Sequence, residues 1–202
     1  MASEAEPQAV HQTPPPHVPL RRVRSTLLVA SYRVVQNLGR ERDYLAALPA
    51  EHHAPITGAV AGTWVPVDVA IAHYDACEKL GLSVESQVEV GKGVGSQIRG
   101  TFFGTVMNLS KEVGVTPWSV IPSIPRLWPR LFDGSAIAIS TQGPKEIRMD
   151  VTGLPLVDIP YFRNALRGQA MGMLDLFCRK TFASVYNGRF APGSTSLRIQ
   201  WA

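Results

Sequence analysis

The sequence predicts an α+β domain in which N-terminal helices pack on a C-terminal four-stranded antiparallel sheet, with a long helix between the sheet's two hairpins. Three observations predict it. Apolar residues recur at helical spacing through most of the first 130 residues. Strand-like alternation comes in two pairs of runs, one either side of Gln142-Gly143-Pro144 and one closing on Leu197-Arg198-Ile199-Gln200-Trp201. Between those pairs, Phe162, Leu166, Ala170, Met173 and Phe177 fall at three- and four-residue intervals, the mark of a helix that buries one stripe. Helices and strands that segregate along a chain argue α+β rather than alternating α/β.

In chain order, residues 1–22 read as a disordered Pro-rich tail, with Pro7, Pro14, Pro15, Pro16 and Pro19 and little to bury. Residues 23–202 read as a single domain. Ser25 to Leu38 is apolar enough for a buried helix that Gly39 would end, although its β-branched residues leave a strand open for the first half. A short helix from Glu41 to Leu48 stops at Pro49, and Glu51-His52-His53-Ala54-Pro55 is a polar break or a single helical turn. Trp64 and Pro66 form an extended lead-in, after which Asp68 would cap a helix running to Leu80 before Gly81. From Ser83 to Val113 the pattern predicts a long helix interrupted by Gly91, Gly93, Gly95, Gly100 and Gly104.

Thr116 and Pro117 open the next helical piece, and Pro122, Pro125 and Pro129 would each disrupt a helix interior, so a kinked or broken helix is expected there. The first hairpin pairs a strand through Ala136, Ala138 and Ser140 with Glu146–Val151. Asp158 ahead of Pro160 is expected to start the long helix by accepting its free first-turn N–H groups. Gly168 and Gly172 sit one turn apart within it. Each costs roughly 1 kcal/mol against Ala, so close approach of another backbone is expected, either within the chain or from a second copy across a two-fold axis.

Composition sets outer bounds. With 202 residues, 45% hydrophobic and 18% charged, the chain is too apolar for disorder throughout. No run approaches the ~18 apolar residues of a membrane span, and the acidic start Met-Ala-Ser-Glu-Ala-Glu does not resemble a secretory signal. A cytoplasmic protein is expected. The net charge is +4, but the one basic cluster, Arg21-Arg22-Val23-Arg24, reads as a solvated junction, and no nucleic-acid module is visible. Cys77 and Cys178 fit two reduced thiols inside helices and fall short of a zinc set.

Candidate chemistry is sparse. His73, the one histidine inside a strong helical pattern, is either a structural residue that donates a hydrogen bond or faces solvent, or an axial ligand. His52 and His53 are adjacent, so their side chains diverge, and a solvated pair is expected. Gly91-Lys92-Gly93-Val94-Gly95-Ser96 fails as a phosphate loop because its lysine comes too early. No G-x-S-x-G and no acid pair beside a histidine is present, so no enzyme is expected.

Several words of the sequence carry a resemblance: Leu-Ala-Ala-Leu-Pro-Ala-Glu-His-His over 45–53, Thr-Trp-Val-Pro-Val-Asp over 63–68 and Gly-Thr-Phe-Phe-Gly-Thr-Val over 100–106. Pro-Arg-Leu-Trp-Pro-Arg-Leu-Phe-Asp-Gly over 125–134, Ile-Pro-Tyr-Phe-Arg-Asn-Ala-Leu-Arg-Gly over 159–168 and the closing Leu-Arg-Ile-Gln-Trp complete the set. Over about residues 25–201 the chain resembles an uncharacterised family of paralogous proteins from myxobacteria, itself similar to the haem-NO-binding, 4-vinyl-reductase and TRAPP-subunit superfamily. The resemblance implies a hydrophobic pocket between helices and sheet, and often pairing of two such domains. Trp64, Phe102, Phe103, Trp118, Trp128 and Phe162 are the candidates to line such a pocket, with plain core packing as the competing role. No cofactor and no metal site is expected: the haem-NO type implies an axial histidine on a long helix and a Tyr-x-Ser-x-Arg clamp, and 96–113 holds no histidine. The expected function is a non-enzymatic binding, signalling or scaffold module, a homodimer acting through a protein partner or a small apolar ligand. The alternative is a haem or small-molecule sensor.

Overall fold

A computed structural model describes residues 10–12, 19–102, 116–175 and 177–202, with side chains described from 19 onward except at 98–102. The helical half comprises α1 (Ser25–Asn37), α2 (Glu41–Ala47), α3 (His53–Thr57), α4 (Val67–Glu78) and α5 (Val84–Phe102). Gly39 and Gly81 take φ of +67° and +63° just past α1 and α4, as helix-ending glycines should. The expected continuation of α5 to Val113 runs into residues outside those described.

The proline-rich piece forms two single-turn helices, α6 (Pro117–Val120) and α7 (Ile124–Leu127), joined and followed by 3-10 turns at Ile121–Ser123 and Trp128–Arg130. Prolines recur every three to five residues, so no long run of i→i−4 bonds can form. The first hairpin is β5 (Ala136–Gly143) with β6 (Glu146–Thr152), and the second is β7 (Thr181–Val185) with β8 (Thr195–Trp201). Between them runs α8 (Pro160–Leu174). Asp158 does not cap it. Its carboxylate accepts from the Gly193 N–H at 2.9 Å, tying the second hairpin down, while Glu78 reaches from α4 to accept the Tyr161 N–H at 2.6 Å.

The two hairpins join through β6 and β8 into the expected four-stranded antiparallel array, and a fifth strand adds to it. β1 (Val10–Gln12) pairs antiparallel with β5, giving the order β1-β5-β6-β8-β7. That strand falls in the stretch the sequence assigned to a disordered tail; three residues of backbone pairing need no apolar side chains, so hydropathy carries no trace of it. A second sheet was not anticipated: β2 (Arg22–Arg24) lies between β3 (Trp64–Pro66) and β4 (Phe132–Asp133). The arginines of β2 are paired while staying partly exposed to solvent. Arg22 pairs with Asp133 at 2.8 Å, and the Arg24 guanidinium donates to the Gly62 carbonyl at 2.9 Å while stacking on Trp64.

Ile147, Met149 and Val151 on β6, with Leu197 and Ile199 on β8, turn one face of the large sheet into the core. α8 crosses towards β7 and β8, the α6–α7 segment abuts β5, and α5 packs along the far side of α8. α5 and α8 touch backbone to backbone. A Cβ on Gly91 or Gly95 would overlap the carbonyls of Ala165 or Gln169, and one on Gly168 or Gly172 would overlap those of Val88 or Lys92. The close approach expected of Gly168 and Gly172 is thus internal to the chain.

Candidate functional site

Between the α6–α7 segment, α8 and the large sheet lies an apolar cavity of about 40 Å³. Ile124, Leu127, Trp128 and Leu131 form one wall, Leu166, Ala170 and Met173 of α8 another, and Met149 and Ile199 the sheet floor. Its polar contribution comes from Gln169 of α8, whose side chain lines the cavity although the residue is only 6% exposed. The α8 wall is fixed, because the same helix is pressed onto α5 by its glycines. The opposite wall consists of single turns separated by prolines.

Of the six aromatic residues proposed from the resemblance, four have described side chains, and of these Trp128 alone lines the cavity. Its Nε1–H donates to Ser135 Oγ at 2.9 Å and its ring is packed 4.5 Å from Phe132. Trp118 is spent at the sheet edge, donating to the Pro144 carbonyl at 2.9 Å and meeting Trp201 edge-on at 4.9 Å. Trp64 lies on the small sheet beneath Arg24. Phe162 is fully buried against Tyr74, 4.7 Å between centroids. Phe102 ends α5 with its side chain outside the described set, and Phe103 lies outside the described residues. Spacing alone could not separate these roles, since helix, edge and core aromatics share one hydrophobic signature. The residues missed, above all Gln169 and the two methionines, carried a weak signal: a polar residue inside the buried stripe of a strongly periodic helix.

A second buried cluster is polar. The Tyr44 hydroxyl and His73 Nδ1 lie 2.6 Å apart, and His73 Nε2 is 3.8 Å from Cys77 Sγ. Burial alone pulls His73 down to about 3, and burial also pushes the Cys77 thiol up to about 12. At neutral pH the pair is therefore an uncharged imidazole and a protonated thiol, neither a base in reach of solvent nor a nucleophile. His73 takes the structural role, with both ring nitrogens turned to neighbours in the core. His53 Nε2 is 2.9 Å from the Leu48 carbonyl, which separates it from His52. No group of three or more potential metal-ligating side chains occurs among the described residues.

No family model matches the chain, and no curated protein matches it, so the resemblance to the paralogous family gains no support from sequence. Solved structures do match in fold. One, concerned with haem redox potential and protein-induced porphyrin distortion, aligns over 88% of this chain and 94% of its own, with TM-score 0.58 and 14% identity. An Fe(II) unliganded H-NOX protein from K. algicida aligns over 89% and 96%, with TM-score 0.56 and 8% identity. A mutant H-NOX from T. Tengcongensis aligns over 88% and 97%, with TM-score 0.54 and 15% identity. The fold is that of the haem-NO-binding domains.

Haem, the group the first of those structures names, does not fit the residues present here. Haem iron takes an axial His, Cys or Tyr, or Met beside His. Among the described residues no His, Cys or Tyr lines the cavity, and the sequence holds no histidine anywhere from 74 to 202. Its volume of about 40 Å³ is also far below the ~300–1,000 Å³ of pockets that enclose drug-sized ligands. The direct α5–α8 contact leaves no slot between those helices.

Proposed function

We propose that this chain is a non-enzymatic small-molecule sensor with the H-NOX fold, its ligand an uncharged, largely apolar molecule held between α8, the sheet and the α6–α7 segment. The cavity carries this reading: it is apolar, enclosed by one rigid wall and one proline-divided wall, and walls of that kind give a ligand two arrangements to choose between. The fold likeness supports a sensor over a pure scaffold, and the missing axial histidine favours a small apolar ligand over haem. Movement of α6–α7 would carry the signal to a protein partner in the cytoplasm. The α8 glycine face is used inside the chain, so a homodimer would have to form through another surface.

Methyl spectra of Met149 and Met173 under xenon pressure test the reading, because xenon enters dry apolar cavities. Both methyl signals should shift saturably, and Ala170→Phe, which fills the cavity, should abolish the shift. Methyl signals that ignore xenon in the wild-type protein would overturn the proposal.

A further inference from the structure

Gln169 is the feature of the cavity that apolar packing does not explain. Its neighbours on the α8 wall are Leu166, Ala170 and Met173, any of which would fill the position without a polar group to desolvate. The residue is 6% exposed, and with Trp128 Nε1 already donating to Ser135 Oγ, its amide is the polar side-chain group that the described lining has left to offer a ligand. An amide set on an apolar wall costs free energy to desolvate unless it gains a partner. The cost is recovered when a ligand supplies the partner.

Building on the sensor reading, we infer that Gln169 is the recognition group of the cavity and that its ligand is a short apolar molecule bearing one carbonyl or hydroxyl oxygen, such as a small ketone, aldehyde or alcohol. The amide NH₂ donates to a carbonyl, and its oxygen accepts from a hydroxyl, so either group is satisfied by one side chain. A charged head group is disfavoured, because no ionisable side chain among the described residues lines the cavity and an unpaired buried charge costs far more than an amide. The body must be short. The cavity admits only a few carbon atoms before α6–α7 has to move.

The test titrates butan-2-one and its near-isostere 2-methylbut-1-ene, in which a methylene replaces the carbonyl oxygen, against wild type, Gln169→Leu and Gln169→Met. Binding is read from the Met149 and Met173 methyl signals. Butan-2-one should bind both variants about tenfold more weakly than wild type, the loss of one hydrogen bond, while the alkene binds them as well as or better than wild type. With a polar group removed from an apolar wall, both variants should melt no lower than wild type. If butan-2-one binds all three proteins alike, or if both variants melt several degrees lower, Gln169 is not the recognition group, although the sensor reading stands. If neither probe moves the methyl signals of any of the proteins, the sensor reading fails and this inference fails with it.

Discussion

His73 shows how one buried side chain links sequence to pH. Its ordinary value of 6.5 falls to about 3 on burial. Below about pH 6.5 the unfolded chain takes up a proton at this imidazole that the folded chain refuses. The contribution to stability is therefore whole above pH 6.5 and is lost as pH falls towards 3, at up to about 1.4 kcal/mol per pH unit. Urea unfolding from neutral pH down to about pH 4 should show this slope in wild type and a flatter one in His73→Gln; equal slopes would mean that the imidazole is protonated in the folded state. Nearby, the hydroxyl of Tyr74 is buried without a partner among the described residues. Tyr74→Phe should accordingly leave stability unchanged or raise it by about 1 kcal/mol. A clear loss would reveal a bridging water.

At the scale of elements, the α5–α8 pair makes opposite predictions for glycines two residues apart. Gly91 faces the Ala165 backbone, which cannot move aside as a side chain could, whereas a Cβ on Gly93 meets only Val34 Cγ2 at an ordinary 3.6 Å. Gly93→Ala should stabilise the protein by up to about 1 kcal/mol, the helix cost of glycine. Gly91→Ala should destabilise it by about 1–3 kcal/mol through overpacking. Gly172→Leu, set against the Lys92 carbonyl, should cost at least as much. Because the contact is internal, sedimentation should show no change of assembly in any of the three; a shift from dimer to monomer would place the glycines between copies instead. Thermal and urea unfolding supply the stabilities.

For the whole molecule, two measurements bear on how the chain is closed and what it carries. β1 covers the β5 edge at Ala138, Ile139 and Ser140. Deleting residues 1–13 should speed amide exchange on that edge while lowering the melting temperature only slightly, since a three-residue strand adds few contacts. Exchange unchanged by the deletion would mean that β1 does not pair in solution. Haem supplied to the purified protein should give no stoichiometric Soret band. A band that survives His73→Ala but disappears when Met149 and Met173 are both replaced by Leu would show that thioethers alone hold the iron.

The sequence by itself determined the α+β class, the two hairpins and the long helix between them, because each rests on local periodicity: alternation in β6 and β8, three- and four-residue spacing in α8, and glycine stops after α1 and α4. It also determined that no histidine could serve a haem on the C-terminal side of the chain, which composition alone settles. Contacts between distant segments were decided only in three dimensions. Asp158 looked like a cap for α8 by position, yet the cap is Glu78, more than eighty residues earlier, since a helix N-terminus takes whichever carboxylate packing brings to it. Phe162 and Trp128 carry the same hydrophobic signal in one dimension, and packing buries one in the core and sets the other on a cavity. Gln169 became legible only when α8, the sheet and α6–α7 had closed around it. Whether a polar side chain meets water, a partner or a void is a property of the elements that enclose it.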